Sequence, residues 1–73
     1  MPKLPAIKSK ELIKRLKKLG FLKDHQTGSH FIMWQPKTKR RAIIPIHLKD
    51  IPKGTLNSLL KEAGITREEI SRG

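Results

Sequence analysis

The sequence contains neither cysteine nor tyrosine, and it has one Trp, two Phe and only six carboxylates. Without cysteine, neither disulfides nor thiolate zinc ligation can stabilise the fold, so apolar packing must do so. No apolar run approaches the roughly 18 residues that span a bilayer, and residues 1–5 lack the apolar segment of a signal peptide. These absences predict a cytoplasmic protein that does not enter a membrane.

The shortage of carboxylates also bears on metal chemistry. Two-metal phosphodiester hydrolysis needs several oxygen ligands at one point. Four of the six acids lie instead on segments with helical periodicity: Glu11, Glu62, Glu68 and Glu69. The three histidines, His25, His30 and His47, are spaced by 5 and 17 residues, which matches no common zinc site. We therefore expect neither a metal nor another cofactor.

Positive charge is abundant and unevenly distributed. The formal net charge is +11, and residues 1–46 contain 12 Lys and Arg against two acids, whereas residues 47–73 contain five against four. Such a field favours a polyanion, and affinity for a single strand would fall with salt at a slope of about −0.7 per neutralised phosphate. Nucleic acid is the expected partner, although this charge could also serve solubility alone.

The length of 73 residues predicts one small domain with a modest core. Residues 1–8, with two prolines and two lysines, predict a flexible leader, which places the domain at 9–73. Ser9 is the expected N-cap of a first helix that runs to about Leu19, and Gly20 is the expected glycine after its end. The apolar stripe of this helix has helical spacing: Leu12, Ile13, Leu16 and Leu19.

Lysines occupy the opposite side of this helix. They are Lys10, Lys14, Lys17 and Lys18. No acid lies four residues away to pair with them, and like charges at that spacing repel slightly. The row predicts a surface that binds an RNA backbone, although an ordinary solvated face would have the same pattern.

Three short apolar runs follow, separated by turn residues. They predict strands over residues 21–25, 29–35 and 41–46, with turns at 26–28 and 36–39, and hence an antiparallel meander. Both faces of the middle strand are apolar, so the period of two does not say which one meets the helices. Pro45 lacks a ladder donor and predicts an edge or a strand end. The second turn is strongly cationic and is expected to hold the RNA backbone: Lys37, Lys39, Arg40 and Arg41.

A second helix is predicted from Gly54-Thr55 to Gly64, with an apolar stripe of its own. The stripe consists of Leu56, Leu59, Leu60 and Ala63. Thr66 and Glu69 form a capping box that starts a short third helix carrying Ile70. The predicted fold class is α+β, with an α-β-β-β-α order, a three-stranded antiparallel sheet, helices on one face and a short C-terminal helix.

The stretch Gly28-Ser29-His30 is the candidate site. It places an imidazole at the start of a strand beside a turn, where Gly28 can adopt positive φ and allow close approach of a ligand. RNA supplies its own nucleophile in the 2′-hydroxyl, so one positioned imidazole can transfer the proton while nearby cations stabilise the charge that develops on phosphorus. DNA lacks that hydroxyl. The residues therefore point to metal-free RNA cleavage more than to DNA cleavage.

Other residues near this stretch have competing interpretations. Ser29 is a turn residue or hydrogen-bond donor rather than a nucleophile, because in a regular strand His30 would point to the opposite side. His47 is either a second acid, base or RNA contact, or a structural cap. His25 precedes the turn and fits a plain surface position. Trp34 could stack an unpaired base, but a lone tryptophan is more often part of the core.

A set of short motifs resembles the HicA toxin family in residues and order. The motifs are Lys10-Glu11-Leu12, Leu19-Gly20-Phe21, Gly28-Ser29-His30, Pro45-Ile46-His47, Gly54-Thr55-Leu56 and Ala63-Gly64-Ile65. The resemblance covers about residues 9–70, and the ordered set is far more specific than any one motif. It implies a fold like that of the double-stranded-RNA-binding domain. It also implies a type II toxin–antitoxin role as a messenger-RNA interferase, neutralised by a HicB-type antitoxin.

By the same resemblance, His30 corresponds to the family's catalytic histidine and Gly28 to the glycine of its Gly-x-His motif. Pro45 and His47 match its Pro-x-His segment. Two alternatives remain open: a non-catalytic RNA-binding module of similar fold, which needs no histidine at a turn, and a small protein-interaction domain whose charge serves solubility. The antitoxin could act by covering the basic surface or by obstructing His30.

Overall fold

A computed structural model describes residues 7–46 and 50–72, with the side chain of Arg72 left out. Within these residues, eight elements follow one another: β1 Ile7–Lys8, α1 Ser9–Lys18, β2 Leu22–Thr27, β3 His30–Gln35, β4 Arg40–Pro45, β5 Asp50–Ile51, α2 Lys53–Ala63 and α3 Arg67–Arg72. Strands β2, β3 and β4 form an antiparallel sheet in that order, and helices precede and follow it. The predicted α-β-β-β-α order is confirmed.

Helix α1 ends as its sequence predicts. Gly20 has a φ of 95°, its N–H donates to Lys17 O at 3.0 Å, and the Phe21 N–H donates to Leu16 O at 3.0 Å. These two bonds form a Schellman motif, which satisfies carbonyls that the helix leaves unpaired. The start is different, because Lys8 is the N-cap and Ser9 is already the first helical residue, and it is buried. The prediction of Ser9 as N-cap was wrong by one residue.

The structure decides which face of the sheet the helices cover. Met33 of β3 and its cross-strand neighbour Ala42 are buried, and Phe31 packs against the same core beside Ile44. We call this side the covered face. The core also takes in the two predicted helical stripes and the third helix, through Leu12, Leu16, Leu56, Leu59, Leu60, Ala63 and Ile70.

The other side of the sheet is called here the open face. It carries Leu22, His25 and Thr27 of β2, His30, Ile32 and Trp34 of β3, and Arg41, Ile43 and Pro45 of β4. Leu22 and Ile43 are 53% and 42% exposed, which marks this side as one that the helices do not cover. Because side chains alternate along a strand, His30 shares its face with Ile32 and Trp34.

The first predicted turn is shorter than expected. Thr27 pairs directly with His30, so β2 continues to Thr27 and the turn contains only Gly28 and Ser29. Strand β4 begins at Arg40 and pairs only with β3 in the described sheet, and Pro45 is its last residue. The prediction of Pro45 at an edge and a strand end is confirmed, since a residue without an N–H suits both positions.

Residues near the N-terminus form a strand that the sequence did not predict. Ile7 pairs with Ile51 and Lys8 with Asp50, so β1 and β5 form a two-stranded antiparallel ladder. Ile7 and Ile51 are both buried in the core. The expected leader at residues 1–8 therefore does not include Ile7 and Lys8, and residues 1–6 lie outside the described residues.

The last two helices follow their predicted signals closely. Helix α2 begins at Lys53, slightly before the predicted Gly54-Thr55, and Gly64 follows it with a φ of 72°. The capping box of α3 is formed in both directions: Thr66 N–H donates to Glu69 Oε1 at 3.0 Å, and Glu69 N–H donates to Thr66 Oγ1 at 3.1 Å. In the described part of the chain, no helix is long and apolar enough to span a membrane.

Candidate functional site

His30 is the first residue of β3 and lies on the open face at one end of the sheet. Its cross-strand neighbours are Thr27 on one side and Pro45 on the other. The next residue after Pro45 donates its N–H to Ser29 O at 2.9 Å, which joins the end of β4 to the β2–β3 turn. The side chain of His30 is partly exposed. The strands therefore hold this imidazole at a fixed place that solvent can reach.

The backbone conformation at Gly28 does not require a glycine, although the sequence suggested positive φ as a reason for one. Positive φ is found at Gly20 and Gly64, but not at Gly28. A Cβ built on Gly28 would meet nothing within 4 Å. The positive φ that a glycine allows is therefore not used at Gly28. The second property of glycine still applies at Gly28: because it has no side chain, a ligand could approach the backbone closely there.

Ser29 contacts the imidazole that the sequence analysis separated from it. Ser29 Oγ lies 3.3 Å from His30 Nδ1. The alternation argument does not apply, because Ser29 belongs to the turn and β3 begins only at His30. A hydroxyl can donate to or accept from an imidazole nitrogen, so the contact orients the ring in either tautomer. The turn and the start of β3 are therefore joined by a side-chain contact.

The sequence analysis missed a second polar cluster on the open face. One residue of β2 is extra relative to β3: Lys23 pairs with Met33 and His25 with Ile32, so Asp24 forms a bulge between them. His25 Nδ1–H donates to Asp24 Oδ2 at 3.1 Å, and Arg41 Nη1 donates to the same oxygen at 3.0 Å. Asp24 thus joins an imidazole of β2 to a guanidinium of β4 across the middle strand.

The predicted RNA-binding cations do not surround His30. The α1 row of Lys10, Lys14, Lys17 and Lys18 is exposed on the side of that helix away from the core. The cationic β3–β4 turn lies at the other end of β3, roughly 17 Å from His30 at about 3.4 Å per residue. Arg41 lies opposite Trp34 on the open face, and its side chain extends across β3 to Asp24 of β2.

Two paired residues at the far end of the sheet, Gln35 of β3 and Arg40 of β4, connect it to the helix ends. Gln35 Nε2 donates to Leu19 O at 2.8 Å, at the end of α1. The Arg40 side chain passes over Gly64, where a Cβ would lie 2.8 Å from Arg40 Cδ. A cation beside a helix C-terminus is favourable. Arg40 therefore has a structural contact in addition to any contact with RNA.

Trp34 is not a core residue. It lies half-buried on the open face, opposite Leu22 and Arg41. Lys39 Nζ lies 5.5 Å from the centre of its ring, within the range of a cation–π contact. Lys39 also has a positive φ of 62°, which is uncommon for a lysine. The indole and the ammonium group together form one end of the open face.

Ligands for a metal do not converge in the part of the chain that is described. Among residues 7–46 and 50–72, no three His, Asp or Glu side chains form a group that could hold a metal ion. Asp24 and His25 are adjacent, but Asp24 Oδ2 is shared between His25 and the guanidinium of Arg41. His47, the second predicted imidazole, lies outside the described residues.

Comparison with known proteins identifies the family of this chain. None of the curated proteins searched matches the chain. The sequence model of a family described as the HicA toxin of bacterial toxin–antitoxin systems matches residues 9–65, from the start of α1 to just beyond α2. The match spans the sheet, the β2–β3 turn and both larger helices. The chain therefore belongs to the HicA toxin family.

Proposed function

We propose that this toxin is an endoribonuclease that cleaves messenger RNA by metal-independent acid–base chemistry at His30. The observation that carries the proposal is the imidazole itself, held at the start of β3 on an exposed sheet face and oriented by Ser29 Oγ at 3.3 Å. Membership of a toxin family supports it, and so does a formal net charge of +11, which suits a polyanionic substrate.

The chemistry requires little from the protein beyond position and charge. The 2′-hydroxyl of RNA loses its proton and attacks the neighbouring phosphorus, and the bond to the 5′ oxygen breaks. His30 gives or takes one of the protons, which contributes about 10² to 10⁴ in rate. Gly28 leaves room for the backbone of the RNA beside the imidazole, and cationic side chains stabilise the charge on the phosphoryl oxygens.

Holding the RNA is assigned to the predicted cations, in two groups. Lys10, Lys14, Lys17 and Lys18 of α1 form one, and Lys37, Lys39, Arg40 and Arg41 at the β3–β4 turn form the other. Because His30 lies roughly 17 Å from that turn, only an RNA of several nucleotides would reach from one to the other. His47 remains a candidate for a further RNA contact or proton-transfer group.

The proposed biological setting follows from the family. A HicB-type antitoxin would bind the toxin and keep it inactive, and the activity would belong in the cytoplasm, where messenger RNA is translated. A protein that binds an enzyme of this charge needs an acidic surface or direct access to His30. In either case, expression without antitoxin should arrest growth, whereas His30→Ala should not.

The test is cleavage of a defined single-stranded RNA in EDTA by purified wild type, His30→Ala and Gln26→Ala. Gln26 lies on β2 beside the covered face and serves as the matched control. We expect wild type and Gln26→Ala to cleave, and His30→Ala to lose about 10²-fold or more. A DNA strand of the same sequence should remain intact.

Two outcomes would contradict the proposal. Cleavage by His30→Ala at the wild-type rate would remove the assigned residue. Binding of RNA by the wild type without cleavage would favour the non-catalytic RNA-binding module. Circular dichroism and thermal unfolding of each variant show whether a lost activity reflects a lost fold.

A further inference from the structure

We propose that His25 is a second proton-transfer group, which acts with His30 in the same cleavage reaction; this inference rests on the proposed function. Cleavage of RNA by its own 2′-hydroxyl moves two protons. One leaves the 2′-hydroxyl as its oxygen attacks phosphorus, and one must reach the departing 5′ oxygen. A single imidazole bound at one of these oxygens is poorly placed for the other, so a second group near the first is chemically useful.

The strand register places the second imidazole on the correct side of the sheet. His25 is paired with Ile32, and Thr27 is paired with His30, so His25 and His30 are diagonal neighbours on the open face. Diagonal neighbours in an antiparallel pair lie about 7–8 Å apart, with their Cβ atoms somewhat closer, within reach of aromatic side chains. Both imidazoles can therefore approach the same phosphodiester, each at a hydrogen-bond distance of about 2.6–3.2 Å.

This placement depends on the bulge at Asp24. In a strand without an extra residue, Leu22 on the open face would be followed on that face by Asp24, and His25 would point to the covered side. The bulge lets Asp24 and His25 both face the open side, where Asp24 Oδ2 accepts from His25 Nδ1 and from Arg41 Nη1. Bulges commonly re-aim side chains in this way near functional sites.

The contacts of His25 select the nitrogen that would carry the reacting proton. A carboxylate only accepts hydrogen bonds, so the 3.1 Å contact with Asp24 requires a hydrogen on Nδ1. Proton exchange with RNA then falls to Nε2, the nitrogen on the far side of the ring. The His25 side chain is 52% exposed, which leaves it accessible to a substrate on the open face.

Arg41 adds a fixed positive charge beside this imidazole. Its guanidinium lies 3.0 Å from Asp24 and its side chain is 60% exposed. A guanidinium has five donors, so a bond to one carboxylate oxygen leaves donors that can bind phosphoryl oxygen. The open face thus carries the two imidazoles and, beside His25, the guanidinium of Arg41, whose side chain extends from its position opposite Trp34 to Asp24.

In the proposed reaction, one imidazole takes the proton from the 2′-hydroxyl as the bond between that oxygen and phosphorus forms. The other imidazole delivers its proton to the 5′ oxygen as the bond from phosphorus to that oxygen breaks. The products are a 2′,3′-cyclic phosphate and a 5′-hydroxyl. Exchange with water returns both rings to their starting states.

The test compares wild type, His25→Gln, His30→Ala and the control Gln26→Ala on two RNAs. One is an ordinary RNA, and the other has sulfur in place of the bridging 5′ oxygen at the cleavage position. A thiolate departs readily without being protonated. On ordinary RNA, His25→Gln should lose about 10² to 10⁴ in rate. The sulfur substrate should restore the rate of one of the two histidine variants only, namely the one that lacks the acid.

Glutamine at position 25 distinguishes a catalytic role from a purely structural one. Its amide can still donate a hydrogen bond to Asp24, but it cannot transfer a proton. A rate for His25→Gln within threefold of wild type, or sulfur rescue of neither or both histidine variants, would overturn the inference. Binding must be measured separately, with an RNA that cannot be cleaved because it lacks the 2′-hydroxyl at the cleavage position. If His25→Gln weakens binding of this RNA as much as it slows cleavage, the inference is also overturned. If wild type cleaves and only His30→Ala fails, the proposed function stands without His25; if wild type does not cleave, both are overturned.

Discussion

The two faces of the sheet use similar residues for different purposes. On β3, Phe31 and Met33 point to the covered face, and Ile32 and Trp34 point to the open one. Only the covered set is closed by helices, and Met33 is completely buried. The open set remains half-exposed among His25, His30 and charged neighbours. Hydrophobicity alone therefore does not show which face of this strand belongs to the core and which carries the candidate site. The two faces differ because the helices cover only one of them.

The largest effect expected from this comparison is on stability. Met33→Ala on the covered face should lower the free energy of unfolding by about 2–5 kcal/mol, because it leaves a cavity among buried side chains. Ile43→Ala on the open face, 42% exposed, should lower it by less than about 1 kcal/mol. Urea unfolding of both variants measures the difference. Equal losses would mean that the open face is covered as well.

The difference between the faces also shows how far sequence reasoning goes. The ends of α1 and α2 were predictable because Gly20 and Gly64 provide a conformation that other residues adopt at a cost. The capping box at Thr66 was predictable because two side chains three residues apart satisfy each other's backbone groups. Such signals are local, and they predicted the α-β-β-β-α order correctly, although not the short strands β1 and β5.

What could not be predicted depends on contacts between distant parts of the chain. The covered face was undecidable because β3 is apolar on both sides. The strand at Ile7–Lys8 has only two residues, too few for a period to show. The bulge at Asp24 appears only when β2 is aligned with β3. For the site, His30 at a strand start was predictable, whereas its distance from the cationic turn follows from the topology of the sheet.

Substitution of two glycines, Gly20 and Gly28, gives a smaller effect and compares a structural position with one at the candidate site. Gly20→Ala should lower stability by about 1–2 kcal/mol, because φ is 95° and the new Cβ would lie 2.8 Å from Gln35 Nε2. Gly28→Ala should leave stability within about 0.5 kcal/mol, since its Cβ would enter open space. On the proposed function, Gly28→Ala nevertheless slows RNA cleavage. A wild-type rate in a stable Gly28→Ala protein would show that no RNA passes close to this turn.

The smallest effect concerns which cations the RNA contacts. Removing one phosphate contact should reduce the salt slope of single-strand binding by about 0.7. We expect Arg41→Ala, on the open face, to show this reduction with an RNA just long enough to cover the two imidazoles. Lys14→Ala, on the exposed side of α1, should show it only with a longer RNA. The reverse order would place the RNA on the helices rather than on the sheet.

Lys39 has a backbone conformation that is unfavourable for a lysine, but its side chain contacts the open face. Its positive φ of 62° costs a lysine about 1 kcal/mol or more that a glycine would not incur. In return, the ammonium group lies against the indole of Trp34, at the rim of the surface where RNA is proposed to bind. Engineering this turn for thermal resistance would start with Lys39→Gly, and the more robust protein would have lost one of its charges.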